Sequence, residues 1–581
     1  IIFRAKLSYL NPLIGVIKVN KKFHSIKRRT MLKSLPAGAA FAVGGCGVVQ
    51  EKGKTIDIDF KHGVASGDPL SDRLIIWTRV SPVELLYTGA VEVKWEISKE
   101  DDFNVIFTSG SFVTDADRDF TVKVDAKGLS KGQNYFYRFL VGDKVSVVGE
   151  AKTLQDNGTE PVNLAIVSCS NYPWGFFNGY RAIAENGPFD AVIHLGDYIY
   201  EYEVGRYQSP NAEKMGRLVD PPHEIKTLSD YRLRYAQYRT DEDLQELHRK
   251  YPFICAWDDH EFANNSYATG AQNHNEGEGD WTPRRRAATK AYMEWLPVRV
   301  SASGLPTVRS FEFGKLATLA MLDTRIVGRE RPLEYERDVE MIEVDGIMKP
   351  DYRAFHKRLE TEERSLLGSE QEAWLAKTLQ KSTAAGIPWQ ILGQQIIMSY
   401  RPEPPLSSVF SPDERIRFSE GEQLSMNIAE EFGGFYNPDA WDGYQPARRR
   451  VFEMFEKYAC NPIVLTGDTH CGWAMSLCDK MGGKHYGAEF AVQGITSPGR
   501  GDRIGKVNQV EQAYYDHLDH MAYASIIGRG YMTLTISAEE TITDWYVVSD
   551  VESKNFELTK KKSLRYKVGD AADGNVVLED I

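Results

Sequence analysis

At 581 residues the chain exceeds the roughly 250–300 residues at which one hydrophobic core stops growing, so at least two domains are expected. Its 42% hydrophobic content is that of an ordinary globular protein. A formal net charge of -12 excludes a polyanion such as nucleic acid as the main partner, because binding a phosphate backbone needs clustered Lys and Arg; a small anionic substrate needs only local cations.

The N-terminal segment differs from everything after it. It carries Arg4, Lys6, Lys18, Lys21, Lys22, Lys27, Arg28, Arg29 and Lys33 and no acidic residue before Cys46. Lys27-Arg28-Arg29-Thr30-Met31-Leu32-Lys33 and the small, apolar run to Val43 resemble a twin-arginine export signal. That run is too short to span a membrane as a mature helix. Val43-Gly44-Gly45-Cys46 resembles a lipoprotein cleavage box, in which Cys46 would carry the lipid anchor. Residues 1–46 are therefore read as an export signal, and the mature protein is expected in the periplasm or cell envelope. Six cysteines are too few for a disulfide scaffold in a chain of this size. Twin-arginine export carries folded protein, so a metal can be loaded onto a thiolate in the reducing cytosol, and Cys169 is the candidate.

Residues 57–152 read as a β-sandwich: Leu74–Arg79, Val91–Ile97 and Asn134–Phe139 alternate with period two between turn residues. Tyr135 and Tyr137 after Gly128-Leu129 have the spacing of a tyrosine corner, and Trp77 and Trp95 are expected to pack rather than to bind sugar. Residues 156–161 read as a linker. From 161 to 545 apolar strands alternate with helical stretches, the pattern of an α/β domain. Four of these strands end on a polar group able to bind metal: Cys169, Asp197, Asp258 and Asp468. The carboxyl ends of strands are where open α/β sheets place their sites. Ser369-Glu370-Gln371-Glu372 reads as a capping box opening a helix, residues 400–444 as a lid or rim, and residues 546–581 as a C-terminal tail.

In Gly196-Asp197-Tyr198-Ile199-Tyr200 a carboxylate and a phenol lie three residues apart. Phenolate and thiolate favour trivalent iron over magnesium or calcium, so Cys169, Asp197 and Tyr200 together point to an iron site. Trp257-Asp258-Asp259-His260-Glu261 with Asn264-Asn265, and Gly467-Asp468-Thr469-His470, add hard oxygen donors and two imidazoles. A strand-end Asp-His pair taken alone is as easily structural as ligating.

These segments resemble the PhoD-like alkaline phosphatases over essentially residues 60–535. The matching motifs are His62-Gly63-Val64-Ala65-Ser66-Gly67-Asp68-Pro69, Ser168-Cys169-Ser170, the Asp197 and Asp258 segments above, Leu322-Asp323-Thr324-Arg325, Asp439-Ala440-Trp441-Asp442-Gly443-Tyr444 and Gly467-Asp468-Thr469-His470. Gly196-Asp197-x-x-Tyr200 also resembles the ferric-site motif of purple acid phosphatases. The resemblance implies an α/β metallophosphatase double-sheet sandwich flanked by helices, preceded by an immunoglobulin-like all-β domain, with Fe(3+) and Ca(2+) in the site. Cys169 stands where the wider pattern opens with Asp-x-His, Asp259 where Asn is usual and Asp468 where His is usual. An oxygen-rich second site suits calcium better than zinc.

The implied metal ligands are Cys169, Asp197, Tyr200, Asp259, Asn264, Asp468 and His470, with Asp197 bridging and Asn265 the alternative to Asn264. His260 is implied as the group that meets charge on the phosphoryl group or its leaving alkoxide. Arg325 is a candidate phosphate clamp, the alternative being a structural Asp323–Arg325 pair. The expectation is a monomeric phosphoesterase acting on small phosphate esters. Two competing readings are a phosphodiesterase for lipid head groups or teichoic-acid-like polymers, and a silent surface-binding protein, against which the intact donor set counts.

Overall fold

The computed structural model describes residues 56–581 except Leu85, Ala302, Ser303 and Tyr436. The export segment and Cys46 lie outside the described residues. Two large sheets form the body, one of ten strands and one of seven. Strands Val162–Val167, Ala191–His194 and Phe253–Cys255 run parallel at the centre of the first. Ala317–Met321, Trp389–Gly393, Asn461–Thr466 and Ala488–Ala491 run parallel in the second. All of these except Asn163 are buried along their whole length, which is why they read as continuous apolar runs rather than alternating ones: both faces of each sheet are covered.

Between the sheets lies one core containing Ile166, Ile193, Leu534, Leu319, Ile391 and Leu465. Helices Asn178–Glu185, Leu228–Tyr238, Glu242–Lys250 and Trp281–Trp295 cover the outer face of the ten-stranded sheet through Ile183, Tyr235, Leu247 and Tyr292. Ser369–Ala384 and Gln445–Tyr458 cover the seven-stranded sheet through Leu375 and Phe452. Among the described residues no helix is long and apolar enough to cross a membrane.

Two expectations are corrected by pairing and capping. The β region 57–152 packs two sheets face to face, but one of them does not end with the region. Its strands Val64–Gly67, Arg73–Arg79 and Thr121–Lys127 continue the ten-stranded sheet through the Phe253–Gly67 pairing, while Val91–Ser98, Ile106–Thr114, Asn134–Val141 and Gly149–Lys152 form a separate sheet packed on them around Ile76, Val93 and Tyr137. The 546–581 segment is no tail: Leu558–Lys567 pairs along Glu540–Val548, and Glu579–Asp580 pairs with its outer side, so strand groups are satisfied inside the ten-stranded sheet. Ser369 is the first helical residue rather than the cap, because Gly368 at φ 77° precedes it and no side chain caps the helix end. Gln371 is instead buried and grips the loop carrying Asp323 through both its amide oxygen and its amide nitrogen.

Other local signals behave as their chemistry requires. Ser130 N–H donates to Tyr135 Oη at 2.7 Å, closing the corner. Trp77 is buried and donates to the Glu294 carbonyl, so it packs rather than presents a platform.

Candidate metal centre

Three of the strands that reach the site, those ahead of Cys169, Asp197 and Asp468, end in a sharp reversal. Cys169, Asp197, Asp468 and His470 all adopt positive φ, at 58°, 55°, 59° and 58°. Non-glycine residues occupy this region rarely and at a cost, and several together at strand ends mark a functional constraint. Gly196 is required for its own reason: at φ 108° a Cβ would sit 2.4 Å from Asp258 Cβ and 2.5 Å from its backbone nitrogen. That close approach brings the Asp197 and Asp258 strand ends together.

Three overlapping donor groups result, each with its ligand atoms within 4.8 Å: Cys169, Asp197 and His470; Asp197, Asp259 and His260; Asp258, Asp259 and Asp468. Tyr200 Oη joins the first group, 2.9 Å from Asp197 Oδ2 and 3.4 Å from His470 Nε2. Asp197 belongs to two groups and Asp259 to two, so the arrangement is continuous. His470 Nδ1 lies 3.0 Å from the Pro498 carbonyl, an acceptor only, so Nδ1 carries the hydrogen and Nε2 turns its lone pair to the cluster. His260 Nδ1 lies 2.7 Å from Glu201 Oε2. Glu261 takes the backbone N–H groups of Asp197, Tyr198 and Asp258 and so ties the strand ends to one another.

Anions outnumber cations here. Burial, then the neighbouring Asp197 charge, pushes the Cys169 thiol and the Tyr200 phenol well above their ordinary ranges. Burial lifts Asp468 to about 7 although Arg325 opposes it, and lifts Glu261 to about 8 with help from Asp197. Asp258 Oδ2 is buried with no hydrogen-bond partner. Soft and hard anionic donors packed together, one orphaned oxygen and an imidazole lone pair aimed inward fit bound cations and little else.

Arg325 is not a phosphate clamp. It is wholly buried, and its guanidinium is spent on Asp258, on Asp439 at 2.6 Å and on Asp468 at 2.6 Å. The expected Asp323–Arg325 side-chain pair is also absent: Asp323 Oδ1 accepts the backbone N–H groups of Arg325 and Ile326. Arg325 therefore compensates carboxylates from behind, because a guanidinium fork can reach three of them at once. Asn264 lines the cavity beside Asn265, with its amide nitrogen donating to Gln272 Oε1 at 2.9 Å.

Asp197, Asp259, His260, Asp468 and His470 of the donor groups line a cavity of about 310 Å³, and Arg401, Arg500 and Trp473 stand among the residues of the rest of its lining. Sequence reading gave no role to Glu201, Arg401 and Arg500, and named Glu261 and Asp439 only as members of their motifs. Glu201 lies one residue beyond Tyr200, so a fuller account of that motif could have flagged it. Arg401 and Arg500 sit in loops without periodicity.

Residues 164–545 match the family model described as "PhoD-like phosphatase", and residues 47–155 the model described as "PhoD-like phosphatase, N-terminal domain". The chain is 34% identical over 530 residues to alkaline phosphatase D of Bacillus subtilis (strain 168), covering 87% of this chain and 81% of that protein. The solved structure described as "Structure of PhoD" superposes with a TM-score of 0.73 at 30% identity, over 90% of this chain and 92% of that one. With its two matched domains and its strand-end donor cluster, the chain belongs to the PhoD-like phosphatase family and is a phosphoric ester hydrolase.

Proposed function

We propose that this protein is an exported, metal-dependent phosphoesterase that hydrolyses small phosphate monoesters or diesters at a centre of ferric iron and calcium. The convergence of Cys169, Asp197, Tyr200 and His470 on one point carries this reading. These four would hold the iron, while Asp259, Asn264 and Asp468 would hold calcium with Asp197 shared between them; the orphaned Asp258 Oδ2 is a further oxygen for that side. When bound, such ions supply Lewis-acid charge for phosphoryl oxygens and lower the pKa of water.

The chain's own residues do the rest. Glu201 takes the Nδ1 hydrogen of His260, which leaves Nε2 to protonate a leaving alkoxide. Burial alone would make His260 less basic, but Asp259, Glu201 and Asp197 outweigh it and keep the imidazolium available. Arg325 holds Asp258 and Asp468 in place. On this reading the two facing sheets are a metallophosphatase sandwich and the N-terminal sheets an immunoglobulin-like domain. Export follows the Arg28-Arg29 signal to the periplasm or cell envelope, with Cys46 as a lipid anchor, and the protein acts as a monomer.

Metal analysis of purified protein, run with a panel of mono- and diester substrates, tests the proposal. Iron with calcium and turnover lost on chelation is the expected result. A fully active protein holding only zinc or manganese would overturn the metal assignment.

A further inference from the structure

Opposite chemistry occupies the cavity away from the carboxylates. Arg401 lines it, yet only 6% of its surface is exposed. Its backbone N–H donates to Asp442 Oδ2, and its guanidinium lies 4.9 Å from the centre of the Trp473 ring and 5.9 Å from that of Tyr514. The side chain's polar contact is a long 3.4 Å bond from Nη1 to Tyr514 Oη, and Nε is buried without a partner.

Among the described residues no carboxylate forms an ion pair with this guanidinium, and the nearby ones are already committed. Glu403 takes Arg500 and the Tyr514 hydroxyl, and Asp442 takes Arg448. The carboxylates of the metal side do not reach it either: Asp468 and Asp259 are paired with Arg325. With two aromatic faces, one long hydroxyl bond and no carboxylate directly on it, this buried guanidinium keeps hydrogen-bond donors unfilled, since cation–π contact does not replace them. A ligand anion in the cavity would fill them. Arg500, fixed 2.5 Å from Glu403 and 3.1 Å from Glu422, lines the cavity alongside it.

We infer that Arg401 is a specificity-determining residue that receives a second anionic group of the substrate, outside the phosphoryl group being cleaved. The substrate class is a phosphate ester whose leaving or retained alcohol carries another phosphate or a carboxylate. A planar fork suits either anion, and stacking on Trp473 sets its orientation before substrate arrives. This inference rests on the phosphoesterase reading above.

The test compares substrate preference rather than rate. Wild type, Arg401→Gln and Arg401→Lys are assayed on phenyl phosphate against 4-carboxyphenyl phosphate, and on methyl p-nitrophenyl phosphate against its 2-carboxyethyl counterpart. The first pair puts the extra charge on the leaving group, the second on the retained alcohol. Taking the ratio of kcat/KM within each pair and then across variants cancels intrinsic reactivity. For at least one pair Arg401→Gln should lower the preference for the charged member by about 10- to 100-fold, the loss typical of a charge-assisted hydrogen bond. Arg401→Lys should lower it in the same direction by less. Should the glutamine variant not fold, the lysine variant decides on the same ratio. Equal losses on both members of each pair, or an unchanged ratio, would overturn the inference. Wild type inactive on all four substrates would remove the phosphoesterase reading itself and this inference with it.

Discussion

His260 and Glu201 form a buried pair in which Nδ1 and Oε2 are 2.7 Å apart, and the other Glu201 oxygen accepts from Asn264 N and Asn273 Nδ2 at 2.8 Å each. A carboxylate so fully occupied cannot rotate, so the imidazole it holds is fixed in ring plane and tautomer.

His260→Ala should lower kcat by about 10²–10⁴-fold, the range of general acid catalysis, with metal content kept near that of wild type. Glu201→Gln should act through His260. Removing that charge lowers the imidazole pKa, so the protonated form is lost sooner as pH rises and the alkaline limb of the kcat profile moves to lower pH. Steady-state kinetics across pH, with metal analysis of each variant, checks both; loss of metal in His260→Ala would place His260 among the ligands instead.

Tyr200 bears on the identity of the metal. Burial and the Asp197 charge hold its phenol protonated, so only a strong cation would ionise it. A phenolate on ferric iron absorbs visible light, and the purified protein should be coloured. Tyr200→Phe should remove the band and keep the fold, because the ring still packs 4.3 Å from the His260 ring. Cys169→Ser should weaken the band and reduce iron occupancy. Absorption spectra with iron determination read all three.

Chelation should make stability pH-dependent in a defined direction. Glu261 and Asp468 have folded-state pKa values near 8 and 7, raised by burial, against about 4 in the unfolded chain. A raised carboxyl pKa contributes stability below the unfolded value, and that contribution is lost as pH rises through the folded value. The Tm of metal-stripped protein should therefore fall between about pH 5 and pH 8, while metal-loaded protein, whose cations replace the missing protons, should change much less over the same window. Parallel melting curves of the two forms would contradict the assignment of a cation site.

Arg325→Ala leaves the buried Asp258 and the half-buried Asp468 without their shared counter-charge, and leaves buried Asp439 with Arg329 alone. Removing one partner of a buried ion pair typically costs about 3–5 kcal/mol, so chemical denaturation should detect a large loss even with metals present. A variant of wild-type stability with raised KM alone would restore the clamp role.

Export should depend on Arg28 and Arg29. Replacing both with lysine and fractionating cells should leave the protein in the cytosol, since a site assembled on a thiolate must travel folded. Undiminished export would remove the twin-arginine assignment.

By itself the sequence determined the apolar strands, because strands buried on both faces must be continuously hydrophobic, and it determined the donors at their ends, because Cys169, Asp197, Asp259 and Asp468 each follow such a run within one to three residues. Tyr200 and His470 were legible for the same reason, being local to a motif. What needed tertiary structure were relations that no spacing encodes. Arg325 lies 67 residues from Asp258, 114 from Asp439 and 143 from Asp468, and its change of role from clamp to counter-ion depends on all three meeting it. The final strands looked like a tail because Leu558–Lys567 carries the consecutive charges Lys560, Lys561 and Lys562, with no alternation to mark a strand, and only its pairing partner shows that it belongs to the sheet. The unfilled donors of Arg401 were equally hidden, since whether a guanidinium meets a carboxylate directly depends on which carboxylates the fold has already given to others.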